Sequence, residues 1–155
     1  MSSLSRSRLR LRRGFTLIEL LLVIGIIAIL AAIVIVAINP TKQLADARNA
    51  QRRSDVNTIL NAVYQYAIDN SGNLPSTIPT GSTNRRQICA TKVDCDADGI
   101  HLDMLSGSYL VGIPRDPRRA STATGTNYWI YQSSNGRVTV TATGSELNTA
   151  ISVTR

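Results

Sequence analysis

Hydrophobic and polar positions divide the chain into three parts. From Leu20 to Ile38 no charged residue appears, and these nineteen positions are almost all apolar. A helix over them would be roughly 28 Å long, which is close to the thickness of the hydrocarbon core of a bilayer. Residues 41–70 contain neither glycine nor proline and predict a second helix. Beyond residue 71, short β-rich runs alternate with turn residues, which predicts a small globular head.

The second helix changes character along its length. Its first half is polar on most faces, so we expect it to protrude, with its charges paired either along a solvated helix or with neighbouring copies. Those charges are Asp46 and Asp55 on one side and Arg48, Arg52 and Arg53 on the other. The second half carries an apolar stripe at helical spacing, which predicts burial of that half alone against the head. The stripe consists of Val56, Ile59, Leu60, Val63, Tyr64, Ala67 and Ile68.

Asn39 and Pro40 separate the two helical segments. Proline lacks a backbone donor and biases the preceding residue away from helical geometry, which predicts a kink or a short break. Alternatively, Asn39 caps a new helix that has Pro40 at its first position.

Three β-like runs predict an antiparallel sheet in the head. They cover Tyr109–Ile113, Tyr128–Gln132 and Arg137–Thr143, and the last two flank Asn135-Gly136, a typical hairpin turn. A polar segment at residues 74–84 predicts a loop, and Ile100–Leu105 predicts a short helix. The expected fold class is α+β, with a long N-terminal helix packed on a sheet of about three strands.

Two cysteines and three aspartates are the candidate ligand-forming residues of the head. Cys89 and Cys95 predict a short-range disulfide in an oxidising compartment, because one histidine, His101, is too few for a zinc or redox site. Asp94, Asp96 and Asp98 precede Gly99 and resemble the opening of a calcium loop, but Leu105 stands where its final acidic ligand belongs. We therefore expect a polar turn and no cofactor, with calcium as the alternative.

The net charge of +7 is concentrated at the N-terminus, where five arginines precede residue 14. From position 41 onward the chain has twelve basic and nine acidic residues, so nucleic acid is a disfavoured partner. Arg115, Arg118 and Arg119 predict a solvated basic loop rather than a DNA contact. No arrangement of catalytic side chains is visible in the sequence, and we expect a protein without enzymatic activity.

The N-terminal arginines and the apolar run allow three explanations. A secretory signal would have a shorter apolar core, although Ala45-Asp46-Ala47 resembles a cleavage site. A plain membrane anchor explains the length and the arginines, which place the N-terminus in the cytoplasm. It leaves Glu19 unexplained, because a carboxylate at the edge of a membrane helix needs a partner.

The third explanation is a resemblance. Arg-Gly-Phe-Thr-Leu-Ile-Glu-Leu-Leu, at Arg13 to Leu21, is similar to the class III signal of type IV pilins and pseudopilins. The resemblance implies that a prepilin peptidase cuts between Gly14 and Phe15, that Phe15 is N-methylated, and that Glu19 pairs with the N-terminal amine of a neighbouring subunit. The alternative to this pairing is that Glu19 lies in the headgroup region beside Arg12 or Arg13.

This resemblance implies a complete domain organisation. Residues 1–14 form a basic leader, 15–38 the transmembrane and assembly half of the helix, 39–70 its amphipathic half outside the membrane, and 71–155 the head. The expected function is a subunit of a type IV pilus-like filament, with copies of itself, the peptidase, the membrane and an inner-membrane assembly platform as partners. The alternatives are a pseudopilin of a secretion or DNA-uptake system and an anchored binding module that does not polymerise.

Overall fold

The structure, a computed structural model, describes residues 14–91, 95, 98–120 and 124–155. Two compact units have their boundary between Pro40 and Thr41. The described elements are two helices, two 3₁₀ turns at Ser82–Asn84 and Asp103–Leu105, and five strands. They are α1 (Leu17–Ile38), α2 (Pro40–Asp69), β1 (Arg86–Cys89), β2 (Ile100–His101), β3 (Tyr128–Gln132), β4 (Val138–Ala142) and β5 (Ile151–Thr154). The predicted α+β class is confirmed.

Helix α1 is apolar on all sides. Its one charged residue is Glu19 in the first turn, and no residue in this helix is buried within the chain. By length and composition it can cross a membrane, so it fits a membrane anchor.

A single residue, Asn39, separates the two helices. Its backbone is left-handed, with φ 43° and ψ 78°, and α2 begins at the next residue. Asparagine tolerates this conformation better than most residues, and proline is favoured at the first position of a helix. The predicted break is therefore present, and Asn39 ends α1.

Helix α2 is buried over more of its length than the sequence predicts. Burial begins at Ala45, whereas Ile68, assigned to the apolar stripe, is 71% exposed. The expectation that only the second half contacts the head is wrong, because polar residues continue the buried face toward the N-terminus. The buried residues of α2 are Ala45, Asn49, Arg52, Asp55, Val56, Ile59, Leu60, Ala62, Val63 and Ala67.

The sheet is mixed and has five strands rather than three, in the order β2-β1-β3-β4-β5. Strands β1 and β2 are parallel, and the remaining neighbours are antiparallel. The predicted β3–β4 hairpin is confirmed, and Gly136 in its turn has a φ of 83°. The inner face of the sheet contributes Tyr128, Ile130, Val138, Val140 and Ile151 to one core with α2.

The strand predicted at Tyr109–Ile113 is wrong. Leu105 accepts hydrogen bonds from the backbone N–H groups of Tyr109 and Leu110, which close this run into a turn around Gly107. The sequence missed β1, β2 and β5 because they are only two to four residues long, too short for a periodic pattern to identify them. The helix predicted at Ile100–Leu105 is also largely wrong, since its first two residues form β2 and only Asp103–Leu105 is a 3₁₀ turn.

Candidate processing and assembly site

The predicted cleavage position lies just outside α1. Gly14 and Phe15 are exposed and non-helical, with Phe15 88% exposed, and Thr16 has an extended backbone with φ −79° and ψ 152°. The peptide bond between Gly14 and Phe15 is therefore in an exposed, non-helical segment. A Cβ atom built on Gly14 meets no atom within 4 Å, so the fold of this chain does not itself require glycine there.

Thr16 and Glu19 form a capping box at the start of α1. The Thr16 side chain accepts a hydrogen bond from the Glu19 N–H at 3.2 Å. In return the Glu19 carboxylate accepts from the Thr16 N–H and from the Thr16 hydroxyl, both at 2.8 Å. These bonds satisfy backbone donors that a helix N-terminus leaves free, and they place a negative charge where the helix dipole favours one.

The sequence alone left two partners open for Glu19, a neighbour's amine or Arg12 and Arg13. Both arginines lie outside the described residues. Within the described chain Thr16 engages the carboxylate, a local partner that the sequence analysis missed. The signal was present, because threonine followed three residues later by glutamate before an apolar run is the capping-box pattern.

The predicted disulfide is present between Cys89 of β1 and Cys95, with Cα atoms 5.2 Å apart. The parallel register of β1 and β2 places Cys89 beside His101, so both sulfur atoms and a ring nitrogen lie within 4.8 Å of one another. Because the sulfur atoms are bonded to each other, neither is the thiolate that binds a metal ion. In this oxidised form the two cysteines form a covalent staple beside His101.

Two of the three aspartates of the calcium prediction, Asp94 and Asp96, lie outside the described residues. The third, Asp98, is exposed and accepts a hydrogen bond from the guanidinium of Arg86. The guanidinium of Arg86 therefore binds the carboxylate of Asp98, which is the only aspartate of that motif among the described residues.

The structure also contains a buried ionic cluster that the sequence analysis missed. We call Arg48, Asn49, Arg52, Asp116 and Glu146 the Arg52 cluster. Arg52 is fully buried and binds Asp116 through two parallel bonds, Nε to Oδ2 at 2.6 Å and Nη2 to Oδ1 at 3.0 Å. Its Nη1 donates to Asn49 Oδ1 and to Glu146 Oε2, both at 3.0 Å.

Glu146 connects a second loop to the same helix. Arg48 donates to both oxygens of its carboxylate, at 2.7 and 2.8 Å, and the Asn49 side chain binds its backbone N–H and carbonyl. The hydrogen bond from Arg48, with support from Arg52, lowers the pKa of Glu146 to about 2. The carboxylate is thus charged at any physiological pH.

Two neighbours complete this polar face. Asp55 accepts a 2.6 Å bond from the Tyr128 hydroxyl, and burial, followed by this bond, raises the pKa of Tyr128. Any side chain at Gly144 would clash with Asp116, since its Cβ atom would lie 2.6 Å from Asp116 Oδ2. The close approach of the two loops therefore requires glycine at this position.

The cluster changes the interpretation of α2. Arg48, Arg52 and Asp55 were candidates for contacts between copies, but all three bind groups of their own head. Continuing the spacing of the apolar stripe backward from Val56 leads to Arg52, Asn49 and Ala45, all of which are buried. That spacing was the available signal, and the polarity of the residues obscured it.

Comparison with known proteins identifies the N-terminal segment. Residues 9–35 match the family described as the prokaryotic N-terminal methylation motif. No curated protein and no solved structure matches the chain. The matched residues include Gly14, Phe15, the capping box and most of α1. The N-terminal segment therefore carries the class III signal of type IV pilins and pseudopilins, a motif that supports a pilin-like or pseudopilin-like substrate of a prepilin peptidase.

Proposed function

We propose that this chain is a structural subunit of a type IV pilus-like filament, cleaved after Gly14 and polymerised through α1. The observation that carries the proposal is the position of Glu19. Its carboxylate lies in the first turn of a helix whose apolar side chains are all exposed, four residues after the new N-terminus. Such a helix needs an apolar partner on every side, which a bilayer supplies before assembly and neighbouring helices supply afterwards.

The chemistry of cleavage supports a role for Glu19 in assembly. Cutting between Gly14 and Phe15 creates a positively charged amine at the head of an apolar helix. A charge in an apolar bundle is costly to leave unpaired, and so is the carboxylate of Glu19. Pairing the amine of one copy with Glu19 of the next compensates both charges and fixes the axial offset of the two helices.

The capping box gives Glu19 a partner before assembly. In a single copy the carboxylate accepts two hydrogen bonds from Thr16, so it already has hydrogen-bond partners when the helix is in the membrane. The amine of a neighbour can then replace or share these bonds, because a carboxylate has about four acceptor sites. Thr16 thus keeps the carboxylate hydrogen-bonded and oriented until the neighbour arrives.

The remaining parts of the chain have structural roles in this proposal. The basic leader keeps the N-terminus in the cytoplasm, α1 crosses the membrane, and the head is exported. The prepilin peptidase and the inner-membrane assembly platform act on the membrane-bound precursor. The head, packed on α2, forms the filament surface and carries no catalytic function.

Two measurements test the proposal. Mass spectrometry of the mature chain should give Phe15 as the N-terminal residue, and filaments recovered by shearing should contain this chain. Glu19→Ala should still be cleaved but should assemble poorly. Glu19→Gln keeps the hydrogen-bond acceptor of the capping box and removes the charge, so filaments from this variant at wild-type yield would refute the charge pairing.

Pseudopilins carry the same signal, and their filaments are short and periplasmic. Immunolabelling in electron microscopy separates the two cases, since only a pilus places the head on long fibres outside the cell. A chain that is cleaved but remains a monomer in detergent and in cells would instead favour the anchored binding module.

A further inference from the structure

Seven charged side chains lie on α2, and five of them have a partner in the described chain. Arg48, Arg52 and Asp55 bind head residues, Asp69 binds Tyr109, and Lys42 also has a partner. The other two are Asp46 and Arg53, which are exposed and have no ion pair among the residues that the structure describes. One is acidic and the other basic.

Asp46 and Arg53 lie on the same flank of α2. Seven residues are close to two helical turns, so the two Cα atoms are stacked about 10.5 Å apart along the axis. Each residue directly follows one that is buried against the head, Ala45 or Arg52, and so points about 100° away from the buried face. The head therefore leaves this flank accessible to another helix.

We propose that Asp46 of one copy pairs with Arg53 of a neighbouring parallel copy, an inference that rests on the filament proposed above. Without an axial offset, two parallel copies would oppose Asp46 to Asp46 and Arg53 to Arg53. An offset of up to two turns brings opposite charges together instead. Long side chains on a helix extend toward its N-terminus, so the guanidinium of Arg53 lies closer to the level of Asp46 than its Cα atom does. The axial offset between the two copies can therefore be less than two full turns.

The Asp46–Arg53 contact requires an axial offset between copies in the same direction as the contact proposed for Glu19. In both, a more N-terminal residue of one copy lies beside a more C-terminal residue of the other: Phe15 with Glu19, and Asp46 with Arg53. Charge patterns of this kind select one register by making the others repulsive. The flank thus specifies the stagger of neighbouring subunits outside the apolar helix.

Charge reversal tests the inference directly. Asp46→Arg and Arg53→Asp, each alone, should lower the yield of sheared filaments to about a tenth of wild type, because each opposes like charges. The double variant, Asp46→Arg with Arg53→Asp, restores the pair in reverse and should recover most of the yield. Arg137→Asp, an equal charge change at an exposed position of the head, is the matched control and should assemble normally.

The outcomes separate this inference from the proposed function. If the wild type forms filaments and Glu19→Ala does not, yet the single reversals assemble at wild-type yield or the double variant fails to recover, the Asp46–Arg53 pairing is wrong and the filament stands. If the cleaved wild-type chain forms no filaments, both are overturned. Near-ultraviolet circular dichroism around Trp129 checks that each variant keeps a folded head.

Discussion

Arg52 joins α2 to two loops of the head, through Asp116 and Glu146. Replacing it with alanine removes four hydrogen bonds from a site with no access to water, and leaves Asp116, itself only 4% exposed, without its counter-ion. Removing one partner of a buried ion pair costs about 3–5 kcal/mol, far more than the pair contributes when compared with an apolar replacement. We therefore expect Arg52→Ala to lower the free energy of unfolding of the head by that amount.

The neighbouring arginine supplies the control. Arg53 differs from Arg52 by one position but is exposed and unpaired within the described chain. The same substitution there should change the free energy of unfolding by less than about 0.5 kcal/mol. Both variants are measured as full-length protein in detergent, by urea denaturation followed through the near-ultraviolet signal of Trp129.

The two variants should differ clearly in thermal stability. At roughly 4 °C per kcal/mol for a head of this size, Arg52→Ala should lower the melting temperature by about 10–20 °C. If Arg52→Ala and Arg53→Ala unfold at the same urea concentration, the ionic cluster does not stabilise the head. A second replacement, Arg52→Met with Asp116→Asn, removes both charges and should recover part of the loss, since no buried charge then remains unpaired at this pair.

Two further predictions concern the loops that meet Arg52. Because the folded state lowers the pKa of Glu146 from 4.5 to about 2, its contribution to stability is complete above about pH 4.5 and is lost as the pH falls toward 2. Acid unfolding of Glu146→Gln, followed by circular dichroism, should lack that component, and an unchanged acid profile would contradict the assignment. Gly144→Ala should cost about 1–3 kcal/mol in a thermal melt, since its Cβ atom meets Asp116, whereas Gly112→Ala, with no atom within 4 Å, should cost little.

The N-terminal site could be predicted from the sequence because it is linear. Gly14, Phe15 and Glu19 lie within six positions, and the capping box that orients Glu19 spans four. The apolar run predicts α1 for the same reason, and the Asn135-Gly136 turn predicts the β3–β4 hairpin. In each case neighbours along the chain supply the whole interaction. Cleavage after Gly14, N-methylation of Phe15, the role of Glu19 in assembly and the binding of calcium stay predictions.

The Arg52 cluster could not be predicted in this way, because its partners are distant in sequence. Asp116 and Glu146 lie 64 and 94 residues after Arg52. Charged residues on a helix are usually solvated, so the first half of α2 was assigned to solvent or to other subunits. Only the fold shows that the head returns to cover them. Strands β1 and β2 were missed for a different reason, because they are only four and two residues long.

The Arg52 cluster has a mechanical consequence if the subunits form a filament under load. Tension transmitted along α2 reaches the head through the side chains that join helix and loops, and those nearest the N-terminus of the buried face are Arg48, Asn49 and Arg52. Two loops separated by thirty residues are fastened to these three side chains. To pull the head from this end of the helix, a force must therefore break several hydrogen bonds, most of them between charged groups.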